Sequence, residues 1–247
     1  MGIFIFIFGL LIGSFLNVCI YRIPRKESIA FPPSHCTNCN TQLKPVDLIP
    51  VLSFVAYRGK CKYCKAKISL QYPIIELSNG LITFFLYQKF GLTVEMGMYA
   101  ILSSILVVIT MIDFFTQEIP DELNLLGLIT GIIFLGIMLR FSNVVNSSLG
   151  LLIGGGLFLL IAVVSGGAMG GGDIKLMGVL GLWFGWKLIL MLSIISFIIG
   201  AIASLLLMAL KIKSMKDYIP FGPFISISAM IIIFFGSDLL SWYLSFI

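Results

Sequence analysis

The sequence predicts an all-α polytopic membrane protein, with about eight transmembrane helices and a small cysteine-bearing insert between the first two. Three observations carry that prediction. Of 247 residues, 59% are hydrophobic and only 11% charged, against roughly 25% charged in soluble domains. Apolar runs recur at Ile3–Ile20, Ile74–Phe90, Met96–Ile112, Leu123–Leu139, Ser147–Ser165, Ile174–Trp186, Leu188–Leu210 and Phe224–Ile247. Most approach the ~20 residues that cross ~30 Å of hydrocarbon. The basic residues are distributed unevenly between the two sides that these runs define.

The first run has neither a basic stretch before it nor a small-residue cleavage site after it, so it reads as a retained helix. Residues 21–73 then carry nine Lys and Arg, which places this segment in the cytosol and the N-terminus outside. With eight spans, thirteen of the sixteen basic residues fall on the cytosolic side, including Lys175, Lys211, Lys213 and Lys216. Lys89, Arg140 and Lys187 fall outside. The sixth run is the short one. Its 13 residues make a helix of only ~20 Å, so it requires a locally thinned bilayer. The expected organisation is a first helix over 1–20, a cytosolic insert over 21–72 and a seven-helix membrane domain over 73–247. Lipid is an expected partner and nucleic acid is not.

The insert contains two CxxC pairs, Cys36/Cys39 and Cys61/Cys64, separated by 21 residues. Four converging thiolates close a tetrahedral metal site with no open position, so zinc here would be structural. A segment of about 50 residues buries too little to fold readily alone, and a metal staple supplies what its core lacks. A cytosolic location disfavours disulfides. His35 adjoins Cys36 but is read as a bystander, and Cys19 as a small buried hydrophobe of the first helix. Where the chain re-enters the membrane, Glu76 follows Pro73 by one turn. The helix dipole favours it there, and its burial makes it a secondary site candidate.

Two carboxylates organise the rest. Asp113 closes the third run and Asp173 opens the sixth, after Gly166, Gly167, Gly170, Gly171 and Gly172. The topology puts both at the same cytosolic depth. Ionisable groups in that position are functional by default, and two close carboxyls share a proton, the state an aspartyl hydrolase needs. Asp173 preceding a helix and Asp113 ending one makes Asp173 the readily ionised partner and Asp113 the proton holder. The loop between them in sequence carries Glu118, Asp121 and Glu122 and no basic residue, a negative lip for a basic peptide. The glycines Gly170, Gly171 and Gly172 leave room for an extended substrate backbone. Gly127/Gly131, Gly150/Gly154 and Gly181/Gly185 are spaced for close helix packing in lipid.

With those motifs in place the chain resembles the bacterial type IV prepilin peptidase family, within the GxGD intramembrane aspartyl peptidases. The resemblance runs through Gly13-Ser14-Phe15-Leu16-Asn17 with Arg22-Ile23-Pro24, the CxxC pairs, Tyr72-Pro73-Ile74-Ile75-Glu76, Asp113 with Ile119-Pro120-Asp121, Gly170–Leu176 and Pro220-Phe221-Gly222-Pro223. It implies catalysis by Asp113 and Asp173 at the cytosolic face of the inner membrane. The substrates would be pilin or pseudopilin precursors of pilus, secretion or competence systems, cut after a basic leader. It also implies S-adenosylmethionine-dependent methylation of the new N-terminus, for which Glu76 is a cofactor-binding candidate. Two rival readings remain open on residues alone. One is a cation- or proton-coupled transporter with a zinc-stapled regulatory loop. The other is a structural assembly subunit in which neither aspartate matters.

Overall fold

The computed structural model describes residues 1–137, 141–167, 169–212, 214 and 218–245, apart from the side chains of residues 141 and 142. Arg140, Lys213 and Lys216, used above in the charge placement, lie outside the described residues. The described chain is helical: α1 Gly2–Arg22, α2 Leu52–Ala56, α3 Gln71–Phe90, α4 Val94–Thr116, α5 Asp121–Ile137, α6 Phe141–Val164, α7 Gly171–Ala209 and α8 Gly222–Leu244. Two short 3₁₀ turns, Ile23–Arg25 and Pro45–Leu48, complete it. Among the described residues, five helices are long and apolar enough to cross a membrane: those beginning at Gly2, Val94, Asn143, Gly171 and Gly222.

Helix α7 differs from expectation. It replaces two expected runs with one 39-residue element interrupted at Gly185, whose φ of 75° and ψ of 175° are not helical. A side chain at Gly185 would collide with Asn146, whose Oδ1 accepts the Trp186 N–H at 3.3 Å. The positive φ and the invading amide both demand glycine there, and Lys187 follows directly. The break therefore falls where the sequence turned polar, but without a loop. Helix α7 also begins three residues earlier than expected and α4 ends four later. The two aspartates therefore sit inside helices rather than just beyond them.

The chain divides into two compact units, Met1–Val108 and Ile109–Ile247. In the first, α1 packs on α3 along glycines. A methyl at Gly9 would lie 2.9 Å from Gly80 Cα, and one at Gly13 would lie 2.7 Å from Glu76 Cα. Polar clamps hold the pair: Asn79 donates to Gly9 O at 2.8 Å and Asn17 to Tyr72 O at 3.2 Å. Buried amides of this kind replace the hydrogen bonds that lipid cannot supply.

In the second unit α7 is the hub. Gly150 and Gly154 of α6 meet the backbone of α7 at Gly181 and Met177, so closely that a methyl at either position would overlap a carbonyl oxygen. Gly127 and Gly131 of α5 receive Trp183, whose Nε1–H donates to Gly127 O at 2.9 Å. All three small-residue pairs expected from sequence thus serve helix contact.

Candidate active site and metal centre

Asp173 is the third residue of α7 and is 4% exposed. Its side chain turns back to the N–H of the helix's own N-cap, Gly170, half of a capping box. A methyl at Gly170 would lie 3.0 Å from Asp173 Oδ2. Oδ1 is buried and has no hydrogen-bond partner among the described residues. Asp113, 3% exposed, lies one turn before the end of α4. Its Oδ2 accepts the N–H of Gly222, the first residue of α8, at 2.8 Å. A methyl at Gly222 would stand 2.6 Å from that oxygen.

The surroundings bring the two carboxylates into one neighbourhood. Ile119 touches both glycine supports: a methyl at Gly172 would meet its Cβ at 2.8 Å, and one at Gly222 its Cδ1 at 3.2 Å. Tyr218, in the segment before α8, has its hydroxyl beside Gly170. Burial, then the charges of Asp173 and Asp113, raise the pKa of that hydroxyl. None of Tyr218, Ile119 and Gly222 was given a role from sequence, although Ile119 and Gly222 stand in the quoted Ile119-Pro120-Asp121 and Pro220–Pro223 motifs. The N-terminus of α8 also alters the expected ranking of the acids. Asp113 ends one helix but faces the positive end of another, so helix ends favour both anions.

Two further buried side chains of this unit carry polar atoms without a hydrogen-bond partner among the described residues. Asn124 is 5% exposed with neither amide atom partnered, and Ser226 is 3% exposed with a free Oγ among the described residues. Asn124 shares its helix face with Gly127 and Gly131, and Ser226 lies one turn beyond Gly222. Neither was singled out from sequence, where both read as interior polar residues of apolar runs.

The lip residues Glu118, Asp121 and Glu122 are exposed. Asp121 is bound by Lys175, with Nζ 2.7 Å from Oδ1 and 2.8 Å from Oδ2. Among the described residues, Glu118 and Glu122 have no such ion pair. Gly171 is exposed, with open space around any added methyl.

In the first unit the four cysteines converge. The Sγ atoms of Cys36, Cys39, Cys61 and Cys64 all lie within 4.8 Å of one another. Cys36 and Cys64 are 3.9 Å apart, far beyond a disulfide's ~2.05 Å and close to the ~3.8 Å edge of a Zn–S₄ tetrahedron. The two halves repeat one local design. Bridges pair His35 with Gln42 and Lys60 with Lys67, and Cys36 and Cys61 N–H groups donate to Thr41 and Ala66 carbonyls.

Backbone N–H groups also point at sulfur: those of Asn38 and Cys39 at Cys36, of Tyr63 and Cys64 at Cys61, of Thr41 at Cys39, and of Ala66 at Cys64. Such donors favour thiolates. Cys39, Cys61 and Cys64 lie below the ordinary thiol value, owing first to Thr41, the Cys64 N–H and the Ala66 N–H respectively. Burial pushes Cys36 up to about 11. The cluster fits a metal ion such as zinc. His35 stands aside, its Nδ1 3.1 Å from Pro33 O.

Glu76 has a different occupation from the one expected. It is 7% exposed, and its Oε2 accepts the Val51 N–H at 2.7 Å. The Ser14 hydroxyl also bonds its carboxylate. Val51 has a φ of 62°, rare for a β-branched residue, so the bond holds a strained loop. Glu76 ties the insert to α3. Asp47, missed from sequence, organises the insert beside it. It accepts from Tyr57 and Tyr63 hydroxyls at 3.1 and 2.9 Å and pairs with Lys62 at 3.5 Å.

Comparison with known proteins decides the family. The bacterial peptidase A24 N-terminal domain matches residues 7–90, and the type IV leader peptidase family matches residues 100–205. The chain belongs to the type IV leader peptidase family. Its relatives include prepilin leader peptidase/N-methyltransferases of three organisms. That of Pseudomonas putida is 30% identical over 94% of this chain and 90% of the relative. That of Pseudomonas aeruginosa is 32% identical over 96% and 91%, and that of Bacillus subtilis 32% over 97% and 96%. No solved structure matches. The leader peptidase match spans both aspartates, and the N-terminal match spans all four cysteines and Glu76.

Proposed function

We propose that this leader peptidase is an aspartyl endopeptidase in which Asp113 and Asp173 together cut type IV prepilin-like precursors between a basic leader and the hydrophobic helix. The observation that carries this reading is the pair of buried carboxylates, each set against a helix N-terminus and joined through Ile119 and Tyr218. The ionised carboxylate takes a proton from water as the water oxygen attacks the scissile carbonyl carbon. The protonated one gives its proton to the carbonyl oxygen. Collapse of the resulting gem-diol breaks the C–N bond, the amine takes a proton, and the leader leaves with a new carboxylate. The unpartnered Oδ1 of Asp173 is the oxygen free to receive water's proton, while Gly222 fixes Asp113. A helical substrate hides its carbonyls in hydrogen bonds, so the scissile segment must enter extended.

The finer placement follows the sequence: eight spans with the break at Gly185 dividing α7, an inner-membrane location, and the catalytic pair at the cytosolic face. Zinc is the metal we assign to the four thiolates, in a structural role. Methylation of the new N-terminus with S-adenosylmethionine comes from the relatives' name. Glu76 does not fit that cofactor, being committed to Val51 and Ser14, and no step is routed through it. A transporter reading finds no counterpart among the named relatives, and both carboxylates have ties that suit a fixed catalytic pair.

The glycines test the geometry. Gly222→Ala presses on Asp113 Oδ2, and leader removal should fall by about 10–100-fold, the scale of a 1 Å misplacement. Gly172→Ala, meeting Ile119, should also impair cleavage. Gly171→Ala meets nothing, and both rate and stability should stay near wild type, the latter within about 0.5 kcal/mol. Equal sensitivity at 171 and 222, measured on a purified prepilin, would contradict the arrangement.

The lip is tested separately. Glu118→Lys with Glu122→Lys should raise KM for a basic-leader substrate and flatten its salt dependence, with kcat little changed. An unaltered salt dependence would remove the lip from the account.

A further inference from the structure

The insert presents an apolar face beside a helix that packs on a candidate membrane span. Val51 is bonded to Glu76, the sixth residue of α3, which is about 7.5 Å along the axis from the helix start. At that level α3 packs on Gly13 of α1, in the middle of a candidate membrane span, and the neighbouring Ser14 hydroxyl also reaches the Glu76 carboxylate. The chain on either side of Val51 presents aliphatic side chains outward. Val46 is 62% exposed, Ile49 43%, Leu52 67% and Val55 66%, with Leu48 between them. Val46 and Ile49, like Leu52 and Val55, are three residues apart and share a face of their turns. Among the described residues, this lobe stays largely open at Val46, Leu52 and Val55.

Its electrostatic setting is one-sided. Residues 21–70 hold nine basic residues against two acidic ones, Glu27 and Asp47. Asp47 is already engaged by Lys62 and two tyrosines. Lys44, Arg58 and Lys60, which bracket the apolar lobe, are exposed. Exposed apolar side chains rimmed by cations, held at the depth of a membrane helix, match the chemistry of an anionic bilayer interface. A water-soluble partner would need to reach that depth beside α3 to cover the same face.

We propose that the segment Val46–Val55 docks into the interface of the adjoining leaflet, its aliphatic side chains among the acyl chains and its flanking cations on anionic headgroups. This lobe then adds to the bonds that already tie the insert to the helices, Glu76 to Val51 and Arg22 to Ser28 and Pro32. This placement does not depend on which residues cut the substrate.

The test uses the full-length protein in phosphatidylcholine/phosphatidylglycerol vesicles, with or without bromine on the acyl chains. Leu52→Trp and Val55→Trp are compared with Thr37→Trp, at the exposed tip of the first cysteine knuckle. Wild-type emission is subtracted and metal content is measured for each. Brominated lipid should quench the added signal at 52 and 55 by about twofold or more, and leave that at 37 unchanged. If one lobe variant fails to retain metal, the other carries the reading. Quenching at 52 and 55 no greater than at 37 overturns the proposal. So does quenching that is absent in vesicles while a purified prepilin changes the emission at 52 and 55, since the face would then serve a protein.

Discussion

Asp113→Asn and Asp173→Asn should each reduce leader removal by about 10²–10⁴-fold, the contribution of positioned acid–base groups. The substitution keeps shape and removes the charge and the exchangeable acid proton. Asparagine at 173 retains an oxygen for the Gly170 N–H, and asparagine at 113 retains one for Gly222. The helices should therefore hold and the chemistry should fail. The assay is prepilin cleavage by purified protein in detergent or vesicles, with thermal unfolding followed in parallel. A variant that cuts at near wild-type rate removes that residue from the mechanism. If both variants cut, the structural-subunit reading is restored.

Cys61→Ser has the second-largest effect, and it falls on the insert. Cys61 is the most buried of the four, 4% exposed, and its loss breaks a closed four-thiolate set. Structural zinc in small domains is worth ~10 kcal/mol or more of folding free energy. Metal content should drop from one zinc per chain to near none, and amide exchange across residues 35–67 should rise steeply. The membrane helices, which do not use the metal, should keep their melting behaviour. Acidification should do the same to the wild type, because thiolates bind zinc and thiols do not, so the metal is lost as pH falls. A serine variant with full zinc content and unchanged exchange would show that the cluster is not a closed site.

How much of this was legible in the sequence depended on the kind of signal. The cysteine cluster was readable because spacing alone brings CxxC thiols together, and the small-residue pairs because close helix approach in lipid needs glycine. Helix ends were less readable. Apolar runs end where charge begins, whereas α4 and α7 extend through Asp113 and Asp173, since a buried carboxylate with an N–H partner does not stop a helix. That shift matters: Asp173 is an N3 residue bonded back to Gly170, not a residue ahead of the helix.

Side chains that act across the fold were the least legible. Gly222 supports Asp113 from 109 residues away. Lys175 pairs with Asp121 in the lip, and Glu76 accepts the Val51 N–H. Each is a pairing between distant segments, and no local pattern announces it. The membrane register of the insert was equally hidden, because hydropathy sees Val46–Val55 only as a short apolar stretch.

The central claim is that the two aspartates are one device, and the double variant tests it. Groups that act as a unit are non-additive: once one is lost, losing the other costs little more. Residual prepilin cleavage is measured at high enzyme concentration for Asp113→Asn, Asp173→Asn and Asp113→Asn/Asp173→Asn. The account predicts that the double variant is no slower than the slower single variant, within about threefold. Losses that multiply, or one single variant that retains wild-type activity, would mean that the two carboxylates do not share one reaction.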